Sequence, residues 1–196
     1  MTVPAVLFVM LALPREGYSH VPRPPAAILQ EEVAKILLIL KDPLYKKPAM
    51  RPVQKARLAE IADRLFDFQE FSKLALGPFW PRFTGAERLE FVGAFKRFLK
   101  NTYIGIAQDL YRDERVIVLD QRAAGEGKAH VNAKVVWRGL EVPIEFRMLQ
   151  RGGTWKIYDM VALGISGVRI YRAQFNGFLD KGSPADLIKR IKEMGD

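Results

Sequence analysis

No cysteine occurs in this chain of 196 residues, and histidine occurs only twice, as His20 and His130. The first absence excludes disulfides, thiolate zinc sites and cysteine nucleophiles. The second leaves too little material for a serine triad or a histidine-based metal centre. His130 stands alone in the alternating segment KAHVNAKVVW and reads as a surface residue of a strand. There is also no GxxxxGK[ST], no GxGxxG behind a strand, no GxSxG and no HExxH. No cofactor is expected. One acid remains a candidate for proton transfer. Asp159 lies inside a strand-like segment, and a carboxyl facing an apolar cavity there could act as in small cone-shaped α+β isomerases. The alternative is a structural pairing with an arginine such as Arg169 or Arg172. Asp109, Asp113 and Glu114 read as a solvated helix end.

Long apolar runs are missing too, since about 20 residues are needed to cross a bilayer. The run from Val3 to Leu13 instead has the length of a signal-peptide core. Gly17-Tyr18-Ser19 offers a small-x-small cleavage site ahead of His20, although no Lys or Arg precedes the run. The expectation is a signal peptide over residues 1–19, export, and a single soluble domain over residues 20–196.

Positive charge, by contrast, is abundant. The formal net charge is +9, which suits nucleic acid, anionic headgroups or an acidic partner, or serves solubility alone. The cations are dispersed, as Lys46/Lys47, Arg51/Lys55/Arg57, Lys96/Arg97/Lys100 and Lys189/Arg190/Lys192. The aromatics fall at core-facing positions instead of alternating with them, so nucleic acid is not an expected partner.

Hydrophobic periodicity predicts the elements. ILQEEVAKILLIL carries Ile28, Leu29, Val33, Ile36, Leu37 and Leu40 on one helical face. A second helix is predicted around residues 53–65. Asp67 with Glu70 forms a capping box ahead of FQEFSKLAL, and Thr84 with Glu87 forms another that opens a long helix to about Tyr111. Four strands follow, at 115–121, 129–137, 140–149 and 154–163, separated by short glycine turns that imply antiparallel hairpins. In the third, Val142, Ile144, Phe146 and Met148 point one way while Pro143, Glu145 and Arg147 point the other. Gly164 then permits a sharp turn, Ser166 caps a helix from Gly167, and Ser183 with Pro184 starts a last one. The class is therefore α+β: N-terminal helices, a four-stranded antiparallel sheet covered on one face by helices, and C-terminal helices. The layer between helices and sheet is very aromatic. Periodicity alone leaves open whether it is a dry core or a lined cleft.

Two stretches resemble a known family. FDFQEFSKLALGPFWPRFTGAERLEFVGAFKRFLKNTY (66–103) is similar to the MlaC-type segment with an F-D-F opening, a short helix ending A-L-G, a tryptophan, a T-x-x-[EQ] cap and a Phe-rich helix ending in Tyr. VPIEFRMLQRGGTWKIYDMVALGISGVRIYRAQF (142–175) is similar to its V-P strand, W-K-x-Y-D, G-x-S and Y-R-x-Q-F. The likeness spans about residues 28–192, and GPFWPRF departs from it by a proline on each side of Phe79-Trp80.

The MlaC-type family, also called toluene-tolerance proteins, consists of periplasmic phospholipid carriers, with a sister branch associated with hopanoid lipids. The resemblance implies a monomeric, non-enzymatic shuttle in the periplasm. Its partners would be an outer-membrane lipoprotein complex and an inner-membrane ABC transporter with an MCE-domain subunit, with transient contact at membrane surfaces. The acyl chains would lie between sheet and helices. The residues expected to line that cleft, from helix 85–111, strands 129–163 and helix 167–180, are Leu99, Tyr103, Val135, Trp137, Ile144, Phe146, Met148, Ile157, Val161, Ile165, Val168 and Tyr171.

Overall fold

The computed structural model describes residues 23–195, so the expected signal peptide and His20 lie outside the described residues. Helix α1 (Pro25–Lys41) starts on a proline at its first turn and stops at Asp42-Pro43, where proline cannot continue the ladder. Two single turns of 3₁₀ helix, Pro43–Lys46 and Pro48–Met50, occupy the connection to α2 (Arg51–Leu65).

Helix α3 (Phe68–Leu76) is capped by Asp67, whose carboxylate accepts from the Glu70 N–H at 2.9 Å. The reciprocal half of the expected capping box does not form. The Glu70 carboxylate turns instead toward Arg151, 3.6 Å away, and the same guanidinium lies 2.6 Å from Asp67. At α4 (Gly85–Leu110) both halves of the box are present. Helices α5 (Gly167–Leu179) and α6 (Pro184–Gly195) close the chain. Among the described residues no helix is long and apolar enough to cross a membrane.

Between α4 and α5 runs an antiparallel sheet in the order β1-β2-β3-β4-β5. Its strands are β1 (Arg115–Ala123), β2 (Lys128–Trp137), β3 (Leu140–Arg151), β4 (Thr154–Ala162) and β5 (Ile165–Ser166). The fifth strand corrects the expected four. Leu163 and Gly164 both have positive φ, 51° and 79°, so the turn returns the chain alongside β4 instead of releasing it straight into the helix. This is the backbone that a two-residue hairpin with the right-handed strand twist demands.

Most of the buried apolar side chains among the described residues fall into two sets. One belongs to the helices: Phe91, Phe95, Tyr171 and Phe175 meet mostly edge to face, beside Leu99, Leu179, Leu187 and Ile191. The other belongs to the sheet, where Leu29 of α1 and Leu65 of α2 press on Val131, Phe146, Met148 and Ile157. The F-D-F triplet straddles them. Phe66 packs on the sheet set and Phe68 on the helical set, their rings stacked at 5.8 Å, while the Asp67 N–H is bonded to the Ile157 carbonyl.

Candidate functional site

The register defines what each face of the sheet carries. Val131 pairs with Phe146 and Ala133 with Ile144; Phe146 pairs with Met160 and Ile144 with Ala162. Because side chains alternate, these residues share one face with Ala129, Met148, Ile157, Val135, Val142 and Trp137. The opposite face carries His130, Asn132, Lys134, Glu145 and Arg147.

Burial on the apolar face changes steadily along the strands. At the Gly152-Gly153 hairpin end, Ala129, Met148 and Ile157 are buried, and the next row still has Val131 and Phe146 covered. Beyond it Ala133 remains buried while Ile144 and Val118 are only partly so. Val116, Val135 and Val142 form a half-covered row, and at the far hairpin Trp137 is half-buried and Leu140 is 63% exposed. Ile165, beside Ala162 on the same face, is 58% exposed. The cover is α1, which lies over β1 and β2, and on that helix Leu29 is buried while Val33, Ile36, Leu37 and Leu40, farther along the same stripe, are half-exposed. An apolar sheet face and an apolar helix stripe are therefore closed at one end and open at the other.

The twelve residues expected from sequence separate accordingly. Val135, Trp137, Ile144 and Ile165 lie on the open part of the sheet face. Phe146, Met148 and Ile157 lie at its closed end, inside the sheet core. Leu99, Val168 and Tyr171 are buried in the helical core. Tyr103 is 54% exposed, and its hydroxyl meets that of Tyr171 at 3.0 Å. Burial, helped by that bond, holds the Tyr171 phenol well above its ordinary range.

Val161 lies on the other face. A bulge at Tyr158 gives β4 one extra residue, so Ile157 pairs with Met148 but Val161 pairs with Glu145. Strict alternation from Ile157 misses this. A second difference concerns the walls. Helix α4 packs on α6, α2 and α3 and makes no extensive contact with a strand, so its aromatic side serves the helical core. The helix over the open rows is α1. Its stripe was visible as periodicity, but nothing in periodicity says which layer a helix covers.

Asp159 is 2% exposed, and its partner is neither Arg169 nor Arg172. Its carboxylate accepts from Ser166 Oγ at 2.7 Å, from the Val168 N–H at 3.0 Å and from Arg147 at 3.2 Å. Arg147 also bonds Glu145. Burial pushes the Glu145 carboxyl up, but Arg147, His130 and Arg122 outweigh it and leave it below its ordinary value. Ser166 in turn accepts from the Arg169 N–H at 3.1 Å. These bonds pin the elbow from β4 through β5 into the first turn of α5 and satisfy donors that helix starts leave bare. Ser166→Ala should cost about 1 kcal/mol, read as a lower urea midpoint with an unchanged slope.

A family model described as MlaC protein matches residues 30–193. A similar solved structure is the phospholipid-binding protein from Ralstonia solanacearum in complex with a phospholipid. It is 24% identical, with a TM-score of 0.73 over 87% of this chain and 96% of that one, and it shares the fold. No curated protein sequence matches. Proteins of the matched family are in general periplasmic. With the match extending from within α1 to within α6, the chain belongs to the MlaC family.

Proposed function

We propose that this protein is a periplasmic carrier that encloses the tails of a phospholipid over the open rows of its sheet. It passes the lipid between an outer-membrane lipoprotein complex and an inner-membrane ABC transporter with an MCE-domain subunit. The observation that carries this reading is the apolar face that loses its cover toward Trp137. A monomer has no use for such a surface in water, and lipid tails match its chemistry. The bound phospholipid of the Ralstonia neighbour supports the reading.

Val135, Trp137, Ile144 and Ile165 form the floor and Val33, Ile36, Leu37 and Leu40 the roof. Met148, Ile157 and Phe146 close the far end, with Leu99, Tyr103, Val168 and Tyr171 holding the flanking helices. Val161 supports the strand from the outer face. The protein is a binding protein and not an enzyme: Asp159 spends its carboxylate on the elbow.

The energetics set the design. A two-tailed lipid has about 30 methylenes at about 0.8 kcal/mol each, so exposed transit through water costs about 20 kcal/mol or more. Both tails must be enclosed. The pocket must also release them, which favours loosely packed apolar walls over directional bonds along the tails.

The positive charge serves docking. Lys55, Lys96 and Lys100 line a groove of about 480 Å³ between α2 and α4, over Ala56, Ala59 and Gly93. Asp63 neutralises part of it, 3.1 Å from Lys96 and 2.9 Å from Lys100. Encounter with anionic membrane surfaces or acidic docking faces is then salt-sensitive. Native mass spectrometry of the purified mature chain, as a monomer, tests the carrier. A co-purifying phospholipid mass is expected, and a clean apo mass under gentle conditions counts against it.

A further inference from the structure

Helices α4, α5 and α6 line a cavity of about 360 Å³ to which no strand residue contributes. Phe98 of α4 and Tyr171, Phe175 and Phe178 of α5 supply aromatic walls, and Ile191 and Met194 of α6 complete them. The rings are set against one another: Tyr171 meets Phe98 edge to face with centres 6.2 Å apart, and its centre is 5.8 Å from that of Phe175. Helix α6 is fixed along α4 by the Asn101 side chain, which donates to the Gly195 carbonyl at 2.6 Å, and by Lys192 on Glu90. Phe98 and Phe178 are half-exposed and Met194 is 55% exposed, so the cavity is reached from solvent. Arg190 lines it too. The Arg190 guanidinium lies 5.6 Å from the centre of the Phe178 ring, and among the described residues no carboxylate comes within ion-pair distance of it. Asp186, one turn earlier on α6, is occupied by Ser183, and Glu193, three residues on, makes no ion pair with Arg190.

Apolar walls with a few directing polar groups are the make-up of a small-molecule site. An apolar cavity of about 150 Å³ takes one benzene ring, so this volume has room for a fused pair. Walls built of rings favour a ligand that is itself aromatic, because another ring can meet them in edge-to-face or offset geometry. A guanidinium without an acid partner favours an anion, and a carboxylate matches its forked donors. We infer that this cavity is a second binding site, for a small aromatic carboxylate, to which Arg190 donates. It stands apart from the carrier reading and uses none of the residues assigned to floor or roof.

The test is a titration of the purified mature chain, labelled on its methyl groups, with 2-naphthoate and with the neutral 2-naphthamide, followed by NMR. Ring currents from bound naphthoate should move the Met194 and Ile191 methyl signals and leave those of Val135 and Ile144 in place. The parent should hold naphthoate about fivefold more tightly than naphthamide, the upper end for a solvent-exposed ion pair. Arg190 is exposed, so Arg190→Gln should fold normally and lose that preference, while Arg190→Lys should retain part of it. Shifts confined to Val135 and Ile144 would put the probe in the cleft and overturn the inference, as would no shift at any of the four. Equal affinity of the parent for the two probes, or a preference that survives Arg190→Gln, would overturn it as well. Each of these results leaves the carrier reading standing.

Discussion

Val135→Trp should leave the chain folded and strip it of phospholipid. Val135 sits in the half-covered row, opposite Val116 on one side and Val142 on the other. In a packed interior the added indole would force neighbours off their rotamers and cost about 1–3 kcal/mol. Here the row is only half covered, so the ring should find room beside Val116 and Val142 and take up the space that a tail would use. Ala133 is the control. It is one row deeper, 2% exposed, and packed within the sheet core. Ala133→Trp should therefore lower stability, by about 1–3 kcal/mol or more, whereas Val135→Trp should not. Native mass spectra and urea melts of the two variants report both quantities. Undiminished lipid in Val135→Trp would mean that the tails lie elsewhere.

Asp159→Ala should be the most destabilising single change at the elbow, costing about 1–3 kcal/mol for each buried donor that loses its acceptor. The Ser166 hydroxyl and the Val168 N–H both lose an acceptor, and Arg147 keeps only Glu145. The loss should appear as a large fall in urea midpoint, several times that of Ser166→Ala. If the two variants melted together, the carboxylate would be contributing no more than the cap hydroxyl does. The double variant adds a second check: residues of one network should not sum, so its cost should fall short of the two singles combined.

Much of this fold could be read before any coordinates, for local reasons. Thr84-Gly-Ala-Glu87 encodes a helix start within four residues, and both of its reciprocal bonds form. The alternation of Val142, Ile144, Phe146 and Met148 against Glu145 and Arg147 encodes which side of β3 meets the core, and the register agrees. What could not be read depends on contacts distant in the chain. The bulge that turns Val161 to the outer face is a property of how β4 pairs with β3, and WKIYDMVAL alternates smoothly without it. Phe91, Phe95 and Leu99 would suit a sheet or another helix equally well, and only the finished packing assigns them to the helical core. The same ambiguity hid α1, whose stripe is as regular as any in the chain. Of the expected floor, Val135, Trp137, Ile144 and Ile165 share a face because alternation and the turn chemistry of Leu163-Gly164 are both short-range.

The division of most buried apolar side chains into two sets, bridged at Phe66-Asp67-Phe68 among other places, has a consequence for stability. A protein with one continuous interior must spend packing energy to admit anything large, because every displaced side chain disturbs all the others. With two sets, a disturbance in one should leave the packing of the other in place, so truncations at Phe95 and at Val131 should sum in stability.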